Sequence, residues 1–204
     1  MKKQYDSEQI KYMNERIIIV DKNDKLIRSG TKKECHLVST GLLLHRAFSV
    51  FLFNSNNELL LQQRSKYKIT FPLYFTNSCC SHPLYTKEEM NETNNIGIKK
   101  AAIRKLKHEL GINDLSISDF KYIDKFKYKA IDKLNGNIWG EYEIDYILIV
   151  KIKEKFIKLN INKNEVKKVC YLSKKNFNNF KNNNIISPWL IYIYNSGLLN
   201  EWWM

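Results

Sequence analysis

The sequence predicts a single-domain, mixed α/β sandwich: one β-sheet flanked by helices. Three observations lead there. A chain of 204 residues suits one folding unit with a core of its own. Runs of strand type and helix type follow in the order strands, helix, strands, helix, with no repeat or linker between them. With only 7 Gly and 3 Pro, the chain has the punctuation of a globular protein rather than of a linker or a collagen-like rod.

Residues Arg16–Val20 and 25–27 flank Asp21-Lys22-Asn23-Asp24 and read as a hairpin. A second hairpin joins 47–53 to 58–63 through Asn54-Ser55-Asn56-Asn57. Residues 70–84, rich in aromatics, small polar residues and Pro, read as irregular. Residues 96–110 form the strongest helix: Ala102, Ile103, Leu106 and Leu110 recur at helical spacing, and Gly111 stands where a C-terminal cap belongs. Residues 120–130 and 139–152 read as strands about a turn at Asn135-Gly136-Asn137, and 166–172 as another strand. Residues 176–184 suggest a short helix plus loop. A last helix runs over 188–203, with Pro188 in its first turn. Residues 1–15 are set apart as an N-terminal extension, and 16–204 form the domain.

The net charge of +13 favours anionic partners such as nucleic acid, an acidic membrane or a phosphorylated small molecule. No basic run is interleaved with stacking aromatics, so nucleic acid is not expected. Lys181-Asn182-Asn183-Asn184 is typical of a lysine- and asparagine-biased surface. No run of eighteen apolar residues is present and the N-terminus has no apolar core, so neither a membrane span nor export is expected. Four cysteines, two of them the neighbours Cys79 and Cys80, do not make a disulfide scaffold. A reducing, cytoplasmic location and a monomer are expected.

Three clusters carry candidate chemistry. His36, His45 and His82, with Glu141 and Glu143, offer imidazole and carboxylate donors that suit Zn, Mn, Fe or Mg. Glu141 and Glu143 stand two apart on a strand and project from one face. By spacing alone a solvated face is the commoner explanation, and Asp145 extends that face. The second cluster is Asn77-Ser78-Cys79-Cys80-Ser81-His82-Pro83, where a thiol beside an imidazole can act as nucleophile or proton donor. Vicinal cysteines also occur simply as small buried side chains. The third is Arg104-Lys105-Leu106-Lys107-His108-Glu109-Leu110-Gly111-Ile112, in which Lys105 and Glu109, four apart, share a helix face and by spacing alone suggest an exposed ion pair.

In this order the three stretches resemble type I isopentenyl-diphosphate Δ-isomerase, a non-hydrolytic branch of the Nudix superfamily. The resemblance runs from about Arg16 to Trp203. Its most specific pieces are Thr31-Lys32-Lys33-Glu34-Cys35-His36, Leu44-His45-Arg46-Ala47-Phe48-Ser49, the stretch 75–83 and Trp139-Gly140-Glu141-Tyr142-Glu143. It implies a Nudix-like fold, an isoprenoid diphosphate substrate, and shift of its double bond through a tertiary carbocation. It implies one divalent ion, Mg, Zn or Mn, held by His36, His45, His82, Glu141 and Glu143. It places Cys80, Glu143 and Tyr128 as catalytic groups, with Glu143 protonating the alkene and the Cys80 thiolate removing the second proton. Lys32, Arg64, Lys68 and the backbone at Ser81 correspond to diphosphate contacts. Glu109 corresponds to the ligand of a Mg that accompanies the diphosphate, and Trp189 to the residue closing the pocket. Lys105 stands where some members have Arg, and Leu73-Tyr74 replaces a small residue after Phe71-Pro72. The alternative, a Nudix-type pyrophosphohydrolase, needs several acids along 96–110, where only Glu109 is present.

Overall fold

The computed structural model describes residues 5–203; the first four residues of the expected extension lie outside the described residues. Helix α1 (Ser7–Met13) opens on Asp6, whose Oδ1 accepts from the amides of Glu8 and Gln9. Strands β1 (Arg16–Val20) and β2 (Leu26–Thr31) form the first hairpin, with the Asp21 side chain accepting from the Asn23 and Lys25 amides. The second strand continues to Thr31, beyond the expected 25–27. Helix α2 (Lys32–His36) follows at once, capped by Thr31 Oγ1 accepting from the Glu34 amide at 3.1 Å.

Strands β3 (His45–Phe53) and β4 (Leu59–Arg64) make the second hairpin. The stretch read as irregular carries two short strands, β5 (Phe75–Thr76) and β6 (Cys79–Ser81). Two or three residues are too few for an alternating pattern to register; pairing with neighbours creates these strands. Helix α3 (Ile96–Leu110) has the expected bounds, and Gly111 closes it at φ 70°. Strands β7 (Lys121–Ile131), β8 (Gly140–Lys151) and β9 (Val166–Leu172) follow, then helix α4 (Lys174–Asn183). The expected final helix is two helices, α5 (Pro188–Asn195) and α6 (Leu198–Trp202), broken at Gly197 with φ 85°. Asn195-Ser196-Gly197 marks this break in the sequence, between two apolar runs.

Strand β3 runs through the middle of a nine-stranded sheet. Strand β8 lies parallel to it from His45↔Glu143 to Phe53↔Lys151, β6 lies antiparallel to it, and β7 extends the sheet beyond β8. Strand β4 carries β5 and β9. All nine residues of β3 are buried, and its side chains alternate between two cores. Phe48, Val50 and Leu52 join Ala102, Leu106 and Leu110 of α3. Phe51 and Phe53 join Trp189, Leu190, Ile193 and Trp202 of the C-terminal helices. Burial of each large apolar side chain contributes about 1.5–3 kcal/mol. The mixed sheet flanked by helices in a single domain is the expected architecture, and the face toward α5 and α6 also carries the polar groups of the candidate site.

Candidate active site

Strand register gathers the polar groups. Glu143 of β8 lies beside His45 of β3 on one side and Tyr128 of β7 on the other; Asp145 lies between Ala47 and Phe126 in the same way. Cross-strand partners share a face, and period two adds Glu141 to it. On the opposite edge of β3, Cys80 is the partner of Ser49 and Cys79 the partner of Val50. Cys80 therefore stands on the face with the acids, and Cys79 turns into the core under α3. His82, two beyond Cys80, returns to the acidic face.

Helix α2 supplies His36. The three imidazole rings lie 4.7–4.9 Å apart between centroids. His36 Nδ1 is 2.6 Å from the Lys32 carbonyl and His45 Nδ1 is 2.7 Å from that of Leu43. A carbonyl only accepts, so both Nδ1 atoms donate, and each ring turns Nε2 toward the carboxylates. His36 Nε2 lies 2.7 Å from Glu141 Oε2, and His82 Nε2 lies 2.8 Å from Glu143 Oε1. His45 Nε2 is buried without a hydrogen bond, as is His82 Nδ1. Burial, then His36 and His45, hold the His82 pKa well below the usual imidazole value, which keeps it neutral.

One donor atom from each of His36, His45, His82, Glu141 and Glu143 lies within 4.8 Å of all the others. Donors around one ion with bonds of about 2.1 Å span about 4.2 Å when opposite, close to this spread. The orphaned Nε2 and the mixed nitrogen and oxygen donors fit a divalent metal site. Asp145, also buried, accepts from Ser49 Oγ at 2.7 Å; burial and the charge of Glu143 push its pKa well above the carboxylate range. The three acids that by spacing alone suggested a solvated face are thus covered by β3, β7 and α2.

Tyr128 donates to Glu143 Oε2 at 2.5 Å, and burial together with Glu143 keeps its phenol protonated. Cys80 Sγ lies 3.8 Å from Arg64 Nη1 and 3.7 Å from Thr76 Oγ1. Burial pushes the thiol up to about 12, against the opposing pull of Arg64. Trp189 is fixed by donation from Nε1 to Thr76 Oγ1 at 2.8 Å, and Arg64 Cζ lies 5.8 Å from its ring centroid. A cavity of about 60 Å³ is lined by Cys80, Ser81 and Trp189 together with His36, His82, Glu141, Glu143 and Tyr128. His45 lies behind, fully buried.

Lys32, Arg64 and Lys68 line the same cavity. Lys32 Nζ is 2.5 Å from Glu15 Oε2; burial, with Lys105 and Lys68 adding to it and Glu15 opposing, brings its pKa down to about 8. Arg64 spends two donors on the Phe71 and Thr70 carbonyls, which holds a loop where Phe71 and Leu73 have φ of 46° and 66°. Lys105 and Glu109 make a buried ion pair at 3.0 Å, not the exposed pair that their spacing suggested. Gln62 and Cys79 also donate to Glu109.

Sequence reasoning missed Gln9, Tyr12 and Met13 of α1, which line the cavity. The Asp6 cap and the apolar residues at 10 and 13 were the available signal. The buried Glu165, 2.7 Å from Lys68 Nζ, carried no local signal.

The NUDIX domain family matches residues 43–191. The mouse (Mus musculus) isopentenyl-diphosphate Delta-isomerase 1 is 45% identical, over 97% of this chain and 88% of the mouse protein. The Schizosaccharomyces pombe isopentenyl-diphosphate delta-isomerase is 49% identical, over 84% of this chain and 76% of its own length. A crystal structure from Deinococcus radiodurans superposes with a TM-score of 0.59 at 14% identity, covering 85% of this chain and 93% of that one, a likeness of fold.

Proposed function

This chain belongs to the isopentenyl-diphosphate Δ-isomerases of the Nudix superfamily, and from that premise we infer that it converts isopentenyl diphosphate to dimethylallyl diphosphate in isoprenoid biosynthesis. The observation that carries the reading is a single cavity lined by a thiol, Cys80, and by a carboxylate, Glu143, that accepts from Tyr128.

The double bond moves when a proton is added at one carbon and another is lost from a neighbour, through a tertiary carbocation. Cys80 on β6 and Glu143 on β8 act as the two proton-handling groups on opposite sides of the five-carbon chain. Tyr128 holds Glu143 and can pass a proton through its short hydrogen bond. Burial favours the Cys80 thiol, and Arg64 beside the sulfur favours the thiolate that would take the second proton from the cation. His36, His45, His82, Glu141 and Glu143 would hold the divalent ion, and Glu109 a Mg that accompanies the diphosphate. When bound, such an ion makes a coordinated carboxyl group more acidic and neutralises phosphate charge. Lys32, Arg64, Lys68 and the backbone at Ser81 bind the diphosphate, so that binding remote from the reacting carbons orients them. Trp189 closes the slot and offers its ring to the cation, a contribution of about 0.5–2 kcal/mol. A dry slot also keeps water from trapping the cation.

No helix among the described residues is long and apolar enough to cross a membrane. All four cysteines are free, which supports a reducing, cytoplasmic setting; one relative, from Arabidopsis thaliana, is named chloroplastic. Incubation with isopentenyl diphosphate and Mg²⁺ in deuterated water tests the reading. Dimethylallyl product carrying deuterium is expected. Phosphate release from a nucleotide panel with no such product would favour the pyrophosphohydrolase alternative instead.

A further inference from the structure

Glu165 stands immediately before β9, where β4 and β9 shift register between Gln63 and Arg64. It is only 2% exposed, and no step above uses it. Its backbone is tied to the segment bearing the pocket's cations. The Ser65 amide donates to the Glu165 carbonyl at 2.9 Å, and the Lys68 amide donates to the Ser65 carbonyl at 3.3 Å. Both carboxylate oxygens are engaged. Oε1 accepts from Gln9 Nε2 at 2.7 Å. Oε2 accepts from Lys68 Nζ at 2.7 Å and lies 3.5 Å from Lys105 Nζ. Burial disfavours the charge, yet Lys68 and Lys105 outweigh it and hold this carboxyl well below the usual range.

A buried carboxylate at the end of a pocket that receives an anion opposes the incoming charge, so its presence there calls for a compensating role. Its contacts supply one. Lys105 also pairs with Glu109, so opposite charges alternate through Lys68, Glu165, Lys105 and Glu109. Without the carboxylate, Lys68 loses its ion-pair partner and Lys105 keeps Glu109 alone. The long, flexible Lys68 side chain would also regain its rotamer freedom.

We propose that Glu165 is a positioning residue, which fixes Lys68 in the arrangement that receives the substrate's diphosphate, holds Lys105 in its buried pair with Glu109 and, through Gln9, seats α1 over the same end. The inference rests on the diphosphate reading of this pocket. It gives the site a regulator of geometry that never touches the substrate.

The sign of one binding change tests it. Glu165→Gln removes a negative charge beside the site, and electrostatics alone would then tighten anion binding. Positioning predicts the reverse. Inorganic pyrophosphate, titrated calorimetrically into the full chain at fixed Mg²⁺, should bind at least about tenfold more weakly. KM for isopentenyl diphosphate should rise in parallel, with kcat changed by less than about threefold. Adding Glu165→Gln to Lys68→Met should cost less than the sum of the two single losses, since both break the Lys68 contact. Unchanged or tighter pyrophosphate binding, or fully additive losses, overturns the proposal. If Glu165→Gln does not fold, Glu165→Asp serves: it keeps the charge and shortens the reach, and wild-type pyrophosphate affinity in it would be equally decisive against positioning. A wild-type chain that binds pyrophosphate yet makes no dimethylallyl diphosphate sinks the isomerase reading, and leaves the pyrophosphate comparison able to judge Glu165 by itself.

Discussion

Cys79 and Cys80 differ in the face of β6 on which they stand, and their surroundings differ accordingly. Cys79 is fully buried under α3, its thiol donating to Glu109 at 3.5 Å, while Cys80 reaches the cavity. Cys80→Ala should lower kcat by at least about a thousandfold, the scale of a lost proton-transfer group. Cys79→Ala should keep kcat within a few-fold of wild type and cost about 1 kcal/mol of stability for the small cavity it leaves. Steady-state kinetics beside thermal melts check the pair; equal inactivity would show that the wrong thiol has been assigned. Tyr128→Phe removes the 2.5 Å bond to Glu143 and no apolar contact. Its kcat should fall about a hundredfold with KM little changed.

At the scale of elements, α3 shows how a close approach overrides helix propensity. A Cβ added at Gly97 would stand 2.3 Å from the Glu89 carbonyl oxygen and 2.9 Å from the Asn91 amide nitrogen. Alanine is the better helix former by about 1 kcal/mol. Gly97→Ala should nonetheless destabilise, by about 2 kcal/mol, because backbone must move to admit the methyl group. Urea unfolding measures the sign directly; a stabilised variant would mean that the 89–91 segment yields easily. The displaced segment also matters to the site, since Glu89 pairs with Arg104, and Arg104 Nη2 donates to the His82 carbonyl.

At the scale of the molecule, Asp24 ties the first hairpin to three further strands. From the turn of the first hairpin it meets Arg46 of β3 at 2.7 Å, Lys125 of β7 at 2.6 Å and the Tyr146 hydroxyl of β8. Burial would raise its pKa, but bonds from Lys125, Tyr146 and Arg46 prevail and lower it. Asp24→Asn takes the carboxylate from Lys125, Tyr146 and the Nε of Arg46, which keeps Glu92 on Nη2, and should cost about 1–3 kcal/mol near neutral pH. Because the folded pKa lies below the unfolded value of 3.8, the contribution is full above that pH and is lost as pH falls through the folded value. The gap in unfolding free energy between wild type and Asp24→Asn should therefore narrow below about pH 3.8. A constant gap across that window would show that Asp24 acts by shape rather than by charge.

Much of the fold was legible because it is written in local periodicity: the bounds of α3, the strands around β3 and β8, and the shared face of Glu141 and Glu143. The family motifs supplied the candidate residues, among them Cys80 rather than Cys79; of the two, Cys80 lines the cavity. Other features were not legible, because burial depends on neighbours distant in the chain. The spacing of Glu141, Glu143 and Asp145 is the same for a solvated face as for a covered one. Only the pairing of β8 with β3 and β7 decides that these acids are buried around three imidazoles. Likewise Lys105, Glu109, Glu165 and Gln9 come from three separated stretches, and only tertiary packing brings their charges into one low-dielectric network where each sets the place of the next.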